Sequence, residues 1–143
     1  MINVGIIGFG KMGRLRAKSV DANSKGQVIS VYDVAKTKTD YDQVTNYEKI
    51  INDPKIDAVF VCTPNRYNKE VTIRALQAGK HVFCEKPPAF TTLDVQEIIK
   101  NEEKSMKKLM YGFNHRHHES IKHIKTLIDS KEYGKIIWMR GRY

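Results

Sequence analysis

A short apolar run at the start of the chain ends in a cluster of three glycines, and this feature constrains the fold more than any other. Residues 2–7, INVGII, are typical of a buried parallel strand. Gly8, Gly10 and Gly13 follow directly, and residues 11–21, KMGRLRAKSVD, favour a helix. The sequence therefore predicts a strand, a tight turn and a helix in its first part.

The spacing Gly-x-Gly-x-x-Gly predicts a site for a dinucleotide diphosphate when it lies between a strand and a helix. Gly8 permits the tight turn, Gly10 lets a diphosphate approach the backbone, and Gly13 lets helix and strand pack closely. The N-terminal amides of the helix then face the negative charge. The predicted cofactor-binding segment also includes the intervening residues Phe9, Lys11 and Met12.

An acidic residue follows at the spacing that dinucleotide recognition requires. Asp33 lies 20 residues after Gly13 and ends a second β-branched run, VISVYD. A carboxylate there can accept hydrogen bonds from both hydroxyls of the adenosine ribose and disfavours a 2′-phosphate. Lys36 and Lys38 lie close by, and either could instead contact such a phosphate. We expect NAD as the cofactor, with NADP less favoured. The alternative interpretation is that Asp33 is an ordinary turn residue at the end of a strand.

Strands alternate with helices along the chain, which predicts an α/β fold with a doubly wound parallel sheet. By analogy with two mononucleotide-binding halves, the expected Rossmann strand order is 3-2-1-4-5-6. The predicted strands are residues 2–7, 28–33, 44–45, 57–62, 81–85 and 108–113, and the predicted helices are 11–21, 46–53, 64–78, 91–105 and 118–130. A last strand at 135–143 has no predicted partner, and we expect it to begin a second domain.

Length, composition and charge limit the classes of function. A chain of 143 residues with 41% hydrophobic residues fits one domain with a buried core. It has no apolar run long enough for a membrane span and no basic leader, so we expect a cytoplasmic protein. The net charge of +9 favours anionic partners such as nucleotides. We expect no nucleic-acid partner, because aromatic stacking residues are few near the basic ones.

Two further stretches carry a resemblance to a known family. They are DAVFVCTPNRYNKEVTIRALQAGKHVFCEKPPA and YGFNHRHHESIKHIKTLIDSKEYGKI. With the glycine turn, they resemble the glucose-fructose oxidoreductase, inositol dehydrogenase and rhizopine-catabolism family, Gfo/Idh/MocA. The motifs Thr-Pro-Asn at 63–65, Ala-Gly-Lys-His-Val at 78–82 and Glu-Lys-Pro at 85–87 stand at the family's spacings. The resemblance covers essentially the whole chain.

The resemblance implies a dinucleotide-binding domain over residues 1–132 and the start of a larger, truncated C-terminal domain at 133–143. Such a protein transfers hydride between nicotinamide and a hydroxyl-bearing carbon of a sugar, polyol or sugar nucleotide. We expect a homo-oligomer when the protein is complete and no activity from this chain alone, because the family's catalytic histidine lies in the second domain. The alternative is a non-catalytic NAD-binding or sensing module that acts with a partner chain.

The Glu-Lys-Pro motif supplies the candidate catalytic residue. In the family, Lys86 holds the reacting hydroxyl near the nicotinamide, Glu85 contacts the cofactor side, and Pro87 completes the turn. A lysine at the carboxyl end of a central parallel strand also points into the crevice where ligands bind, and its ammonium can stabilise developing charge. A solvated lysine at a strand end is the other interpretation. The resemblance further places Thr63, Pro64 and Asn65 at the nicotinamide ribose, and Asn114 and Arg116 at the crevice.

One position departs from the family pattern. Asn68 stands where the family commonly has histidine after Thr-Pro-Asn-x-x, and asparagine keeps a hydrogen bond but cannot titrate.

Four histidines lie within nine residues, at 115, 117, 118 and 123, but neither a carboxylate nor a thiolate completes a tetrahedral ligand set at helical spacing. We therefore expect no metal site.

Overall fold

Strands and helices alternate through most of the chain. The structure is a computed structural model, and it describes residues 1–141. The strands are β1 (Ile2–Ile7), β2 (Gly26–Tyr32), β3 (Asp42–Gln43), β4 (Ala58–Val61), β5 (His81–Cys84) and β6 (Leu109–Tyr111). The helices are α1 (Lys11–Asp21), α2 (Glu48–Ile51), α3 (Asn65–Gln77), α4 (Thr92–Ser105) and α5 (Glu119–Ser130), with a 3-10 helix at Asn114–His117. Among these residues, no helix is both long and apolar enough to cross a bilayer.

The strands within residues 1–141 pair in parallel in the order β3-β2-β1-β4-β5-β6. This confirms the predicted Rossmann order. Strand order reverses between β1 and β4, so a crevice opens at their carboxyl ends, where open α/β sheets bind ligands. Ile7 is in register with Tyr32 on one side and with Val61 on the other. The turns after these three strands therefore meet at one edge of the sheet.

Apolar side chains cover both faces of the sheet. On β1, Val4 and Ile6 join a cluster that includes Ala17 of α1, whereas Ile7 joins a cluster that includes Leu76 of α3. Alternate residues of a strand point to opposite faces, which is why one short apolar strand contributes to two cores. The central strand is thus buried on both sides, as the continuous run INVGII predicts.

The chain divides into two compact units, Met1–Gly112 and a second unit from Phe113 onward. In the second unit, α5 ends at Ser130, and its C-cap residue Lys131 adopts a left-handed conformation with φ 57°. The strand predicted at 135–143 is wrong for residues 135–141, where the described backbone pairs with no other strand and so lacks ladder hydrogen bonds. Its last two residues, 142–143, lie outside the described residues. The predicted domain division at 132 and 133 stays a prediction.

Candidate functional site

The glycine turn leads from β1 into α1, and two of its glycines are required by the packing. Gly8 has φ +91°, and a Cβ there would lie 2.5 Å from the carbonyl oxygen of Cys62. A Cβ on Gly13 would lie 2.1 Å from the carbonyl oxygen of Gly8. Both contacts are with backbone atoms, which cannot swing aside. These two glycines therefore fix the close approach of turn, helix and β4.

Gly10 differs because nothing in the described structure lies within 4 Å of a Cβ built on it. Its φ of −75° and ψ of −156° are open to other residues, so the free protein does not require a glycine there. Gly10 is also the N-cap of α1 and makes no side-chain capping bond. The first turn of α1 contains no acidic residue, and its N-terminal amides point out of the helix. This open surface suits an anion that approaches the backbone.

Asp33 is tied to the glycine turn through its side chain. One carboxylate oxygen, Oδ2, accepts a hydrogen bond from the backbone N–H of Phe9 at 2.7 Å. The other, Oδ1, accepts from the N–H of Ala35 at 3.0 Å. Each carboxylate oxygen has two lone pairs, so both can accept a further bond from a ligand hydroxyl. The acid thus stands beside the anion-binding turn.

Cationic side chains lie on the segment after this acid and on α1. Lys36 and Lys38 are exposed on the segment that follows it. Arg14 donates from Nη1 to the carbonyl oxygen of Lys38 at 3.3 Å, and its guanidinium lies 5.1 Å from the centre of the Phe9 ring. Phe9 itself is buried, although sequence reasoning placed it among the cofactor-binding residues. Its backbone N–H, rather than its ring, contributes to the turn through Asp33.

The Thr-Pro-Asn segment begins α3 beside the glycine turn. The N–H of Cys62 donates to the carbonyl oxygen of Ile7 at 2.7 Å, which joins the ends of β4 and β1. Pro64 is the N-cap of α3, and Asn65 is its first residue, exposed to solvent. The structure therefore brings this predicted site segment to the same edge of the sheet as Gly8.

Asn68 is fully buried in the first turns of α3, where all its side-chain polar atoms find partners. Its Nδ2 donates to the carbonyl oxygens of Glu85 at 3.1 Å and Pro87 at 2.9 Å. Its Oδ1 accepts a hydrogen bond from the Thr63 hydroxyl at 2.9 Å. The asparagine that departs from the family pattern thus links the segments that follow β4 and β5.

Glu85 forms an ion pair that sequence reasoning missed. Its Oε1 lies 2.7 Å from Nε and 2.6 Å from Nη2 of Arg16, which reaches it from α1. The guanidinium of Arg16 also lies 4.8 Å from the centre of the Phe83 ring. A Cβ on Gly112 would come within 2.8 Å of Glu85 Oε2, so the carboxylate is enclosed on that side too. Glu85 is 7% exposed, and its cation comes from the helix of the glycine turn.

Lys86 follows this buried acid and is exposed to solvent at the end of β5. The peptide bond between Lys86 and Pro87 is cis. Of the other predicted site residues, Asn114 and Arg116 lie in the 3-10 helix of the second unit. The candidate site that the structure brings together therefore belongs to residues 1–112.

The two cysteines near this edge are poor nucleophiles. Burial raises the pKa of the Cys62 thiol and that of the Cys84 thiol to about 12, and the Glu85 carboxylate adds to both shifts. Thiols with such pKa values are protonated at neutral pH and so react slowly.

Within residues 1–141, no group of three or more His, Cys, Asp or Glu side chains could hold a metal ion.

The residues at this edge fit a dinucleotide. Space against the backbone of Gly10 and the amides of α1 suit a diphosphate, and the Asp33 carboxylate has lone pairs for ribose hydroxyls. Farther along the same edge, the Thr63 and Lys86 turns lie at the carboxyl ends of β4 and β5. This edge thus offers donors for the diphosphate, an acceptor for a sugar and, at Lys86, an exposed lysine next to the turn after β5.

Comparison with known proteins agrees with this geometry. A family model described as "Oxidoreductase family, NAD-binding Rossmann fold" (GFO_IDH_MocA) matches residues 2–113. An inositol 2-dehydrogenase of Salmonella paratyphi B is 30% identical over 153 aligned residues, which cover 99% of this chain and 46% of that protein. The chain spans less than half the length of such curated relatives.

Solved structures give the same result. An NAD-binding protein from Listeria innocua is 33% identical with a TM-score of 0.84, over 94% of this chain and 42% of that one. A biliverdin reductase from Synechocystis, solved with biliverdin and NADP⁺, is 25% identical with a TM-score of 0.81, over 90% of this chain and 43% of that one. These similarities agree with an NAD(P)-binding fold, and the second leaves NADP open as a cofactor.

Proposed function

Because this chain belongs to the Gfo/Idh/MocA family of oxidoreductases with an NAD-binding Rossmann fold, we propose that it is the cofactor-binding part of a polyol or sugar dehydrogenase. In that reaction, hydride passes between nicotinamide and a hydroxyl-bearing carbon. The observation that carries the proposal is the open backbone at Gly10 beside the Asp33 carboxylate. A glycine that the fold does not require is best explained by a ligand that takes its space.

The cofactor-binding roles follow from the contacts at this edge. The amides after Gly10 bind the diphosphate, and α1 directs the positive end of its dipole at it. Asp33 accepts hydrogen bonds from the adenosine ribose while it holds the N–H of Phe9. Its negative charge disfavours a 2′-phosphate, so NAD is the preferred cofactor.

Lys86 supplies the only proposed catalytic group. Its ammonium, at the carboxyl end of β5, donates a hydrogen bond to the substrate oxygen and stabilises the charge that develops there. Thr63, Pro64 and Asn65, at the neighbouring strand end, line the nicotinamide ribose. A polyol or sugar substrate is supported by the inositol 2-dehydrogenase named among the relatives, and its identity depends on the full-length protein.

The experiment is a titration of the chain with NADH and, separately, with NADPH, followed by nicotinamide fluorescence. We expect tighter binding of NADH. In Asp33→Asn the amide oxygen still accepts one backbone N–H, but the negative charge is gone. Affinity for NADH should then fall about tenfold, or about 1.4 kcal/mol, and the preference over NADPH should shrink.

The control is Asp57→Asn at the opposite edge of the sheet. Asp57 Oδ2 accepts the backbone N–H of Asn3 at 2.8 Å, so the substitution neutralises a carboxylate with the same kind of backbone contact away from the proposed site. Its NADH affinity should equal that of the wild type. Equal losses in both variants, or no binding of either nucleotide to the wild type, would refute the proposed site.

A further inference from the structure

We propose that Asn68 is a positioning residue that holds the backbone on both sides of Lys86 and thereby sets where its ammonium lies. The inference deepens the proposed function and rests on it, because it assumes that Lys86 acts at the nicotinamide end of the bound cofactor. Asn68 itself is fully buried, so it acts through Lys86 and not by contact with substrate.

The hydrogen bonds of Asn68 bracket the lysine. Its Nδ2 donates to the carbonyl oxygens of Glu85 and Pro87, the residues immediately before and after Lys86. Both distances, 3.1 Å and 2.9 Å, lie in the normal range for such bonds. With the carbonyls on both sides fixed, the Cα–Cβ direction of Lys86 is fixed too. The flexible part that remains is the side chain alone.

The asparagine is in turn oriented by Thr63. The Thr63 hydroxyl donates to Oδ1 at 2.9 Å, which leaves Nδ2 to face the two carbonyl oxygens. A primary amide is the side chain that offers two N–H donors and a carbonyl acceptor in one plane. The opposite orientation would set the amide oxygen against two carbonyl oxygens. Through Asn68, these hydrogen bonds link the backbone around Lys86 to Thr63, which is proposed to line the nicotinamide ribose.

This arrangement is separate from the ion pair beside it. The Glu85 side chain is held by Arg16, whereas its carbonyl oxygen is held by Asn68. The carboxylate can thus keep its salt bridge when Asn68 is replaced. A substitution at Asn68 should then loosen the lysine turn and leave the glycine turn and Asp33 in place. A substitution at Asn68 can therefore change the position of Lys86 without changing the affinity for the cofactor.

The test measures how well bound NAD⁺ shields Lys86 from acetylation by N-acetoxysuccinimide, with each lysine quantified by peptide mass spectrometry. In the wild type, saturating NAD⁺ should slow acetylation of Lys86 and leave that of exposed Lys25, before β2, unchanged. In Asn68→Leu, which lacks both donors, NAD⁺ should bind with near wild-type affinity but most of the protection of Lys86 should be lost. Asn68→His, which keeps a ring N–H, should recover part of it.

Two further variants keep the test decisive. Asn68→Ser, whose side chain is too short to bridge the two carbonyls, replaces the leucine variant if that chain does not fold. Leu76→Ala removes fully buried apolar volume from the same helix and serves as the stability control. It should retain full protection of Lys86, because it leaves the three hydrogen bonds of Asn68 intact.

The outcomes separate this inference from the one it rests on. Full protection in both Asn68→Leu and Asn68→Ser would overturn the role of Asn68, as would equal loss in Leu76→Ala. Loss of NAD⁺ affinity together with protection would mean a general structural role and would also overturn it. If the wild type binds NAD⁺ but Lys86 is not shielded, the proposed role of Lys86 itself fails, and this inference fails with it.

Discussion

We predict that alanine at Gly10 weakens NADH binding and leaves the fold intact, whereas alanine at Gly13 damages the fold itself. A Cβ at Gly10 meets no described atom within 4 Å, but it occupies the space proposed for the diphosphate. A Cβ at Gly13 would lie 2.1 Å from the carbonyl oxygen of Gly8, a contact that backbone atoms can relieve only by moving helix and strand apart. The two glycines thus serve binding and packing respectively.

The magnitudes follow from these contacts. At Gly10, alanine reduces the entropy of the unfolded chain, worth about 0.4–1 kcal/mol. It is also a poorer N-cap than glycine by a similar amount, about 0.5–1 kcal/mol. The two effects nearly cancel. At Gly13, the overlap should cost about 3 kcal/mol, near the upper end for overpacking. For a chain of this length that cost lowers Tm by about 10 °C.

The assay combines thermal unfolding, followed by circular dichroism, with NADH titration. Gly10→Ala should keep the wild-type Tm and bind NADH at least about tenfold more weakly, a loss of about 1.4 kcal/mol. Gly141→Ala is the matched control, since a Cβ there also meets nothing within 4 Å, and it should change neither quantity. Wild-type NADH binding by Gly10→Ala, or a fall in its Tm as large as that of Gly13→Ala, would contradict the roles proposed for the two glycines.

Two further predictions concern ion pairs. Arg16→Met should lower the free energy of unfolding by about 3 to 5 kcal/mol in urea denaturation, because it leaves the Glu85 carboxylate buried without its cation. A double variant that also carries Glu85→Gln should regain much of this loss, and a double variant as unstable as the single one would contradict the explanation. Lys69 Nζ lies 2.6 Å from carboxylate oxygens of both Asp94 and Glu97 on α4, and its hydrogen bond is the largest cause of the lowered pKa of Asp94. The stability that this contact contributes is present above the ordinary pKa of 3.8 and is lost as pH falls through the lower pKa of Asp94 in the folded protein. In Lys69→Met, the free energy of unfolding should therefore fall less steeply as the solution is acidified. An unchanged slope at acid pH would refute this.

The core of the fold was predictable because each element carries its own local signal. The apolar run at 2–7 and the glycines after it specify β1, the turn and α1 without reference to the remainder of the chain. The prediction at 135–143 failed because an apolar alternation specifies only the surface that a strand would bury, and a strand also needs a partner for its ladder hydrogen bonds. Within residues 135–141 no such partner is present.

The site was predictable where its residues stand at a fixed spacing in the sequence. Asp33 is found because a fixed spacing separates it from the glycines, and the structure places its carboxylate on the N–H of Phe9. The contact between Arg16 and Glu85 spans 69 positions and depends on how α1 lies against β5, so no local pattern signals it. Asn68 gave a partial signal, as a departure from the family pattern. Its link to the turn around Lys86 required coordinates.

A titration of isotopically labelled chain with NAD⁺, followed by amide ¹H–¹⁵N NMR, locates the bound dinucleotide directly. We expect the largest shifts at the amides of Gly10, Lys11 and Met12, at the positive end of α1, and at Ala35 beside the Asp33 carboxylate. Shifts concentrated at the opposite edge of the sheet, around Gly79, or an unchanged spectrum at saturating NAD⁺, would contradict a dinucleotide site at the glycine turn.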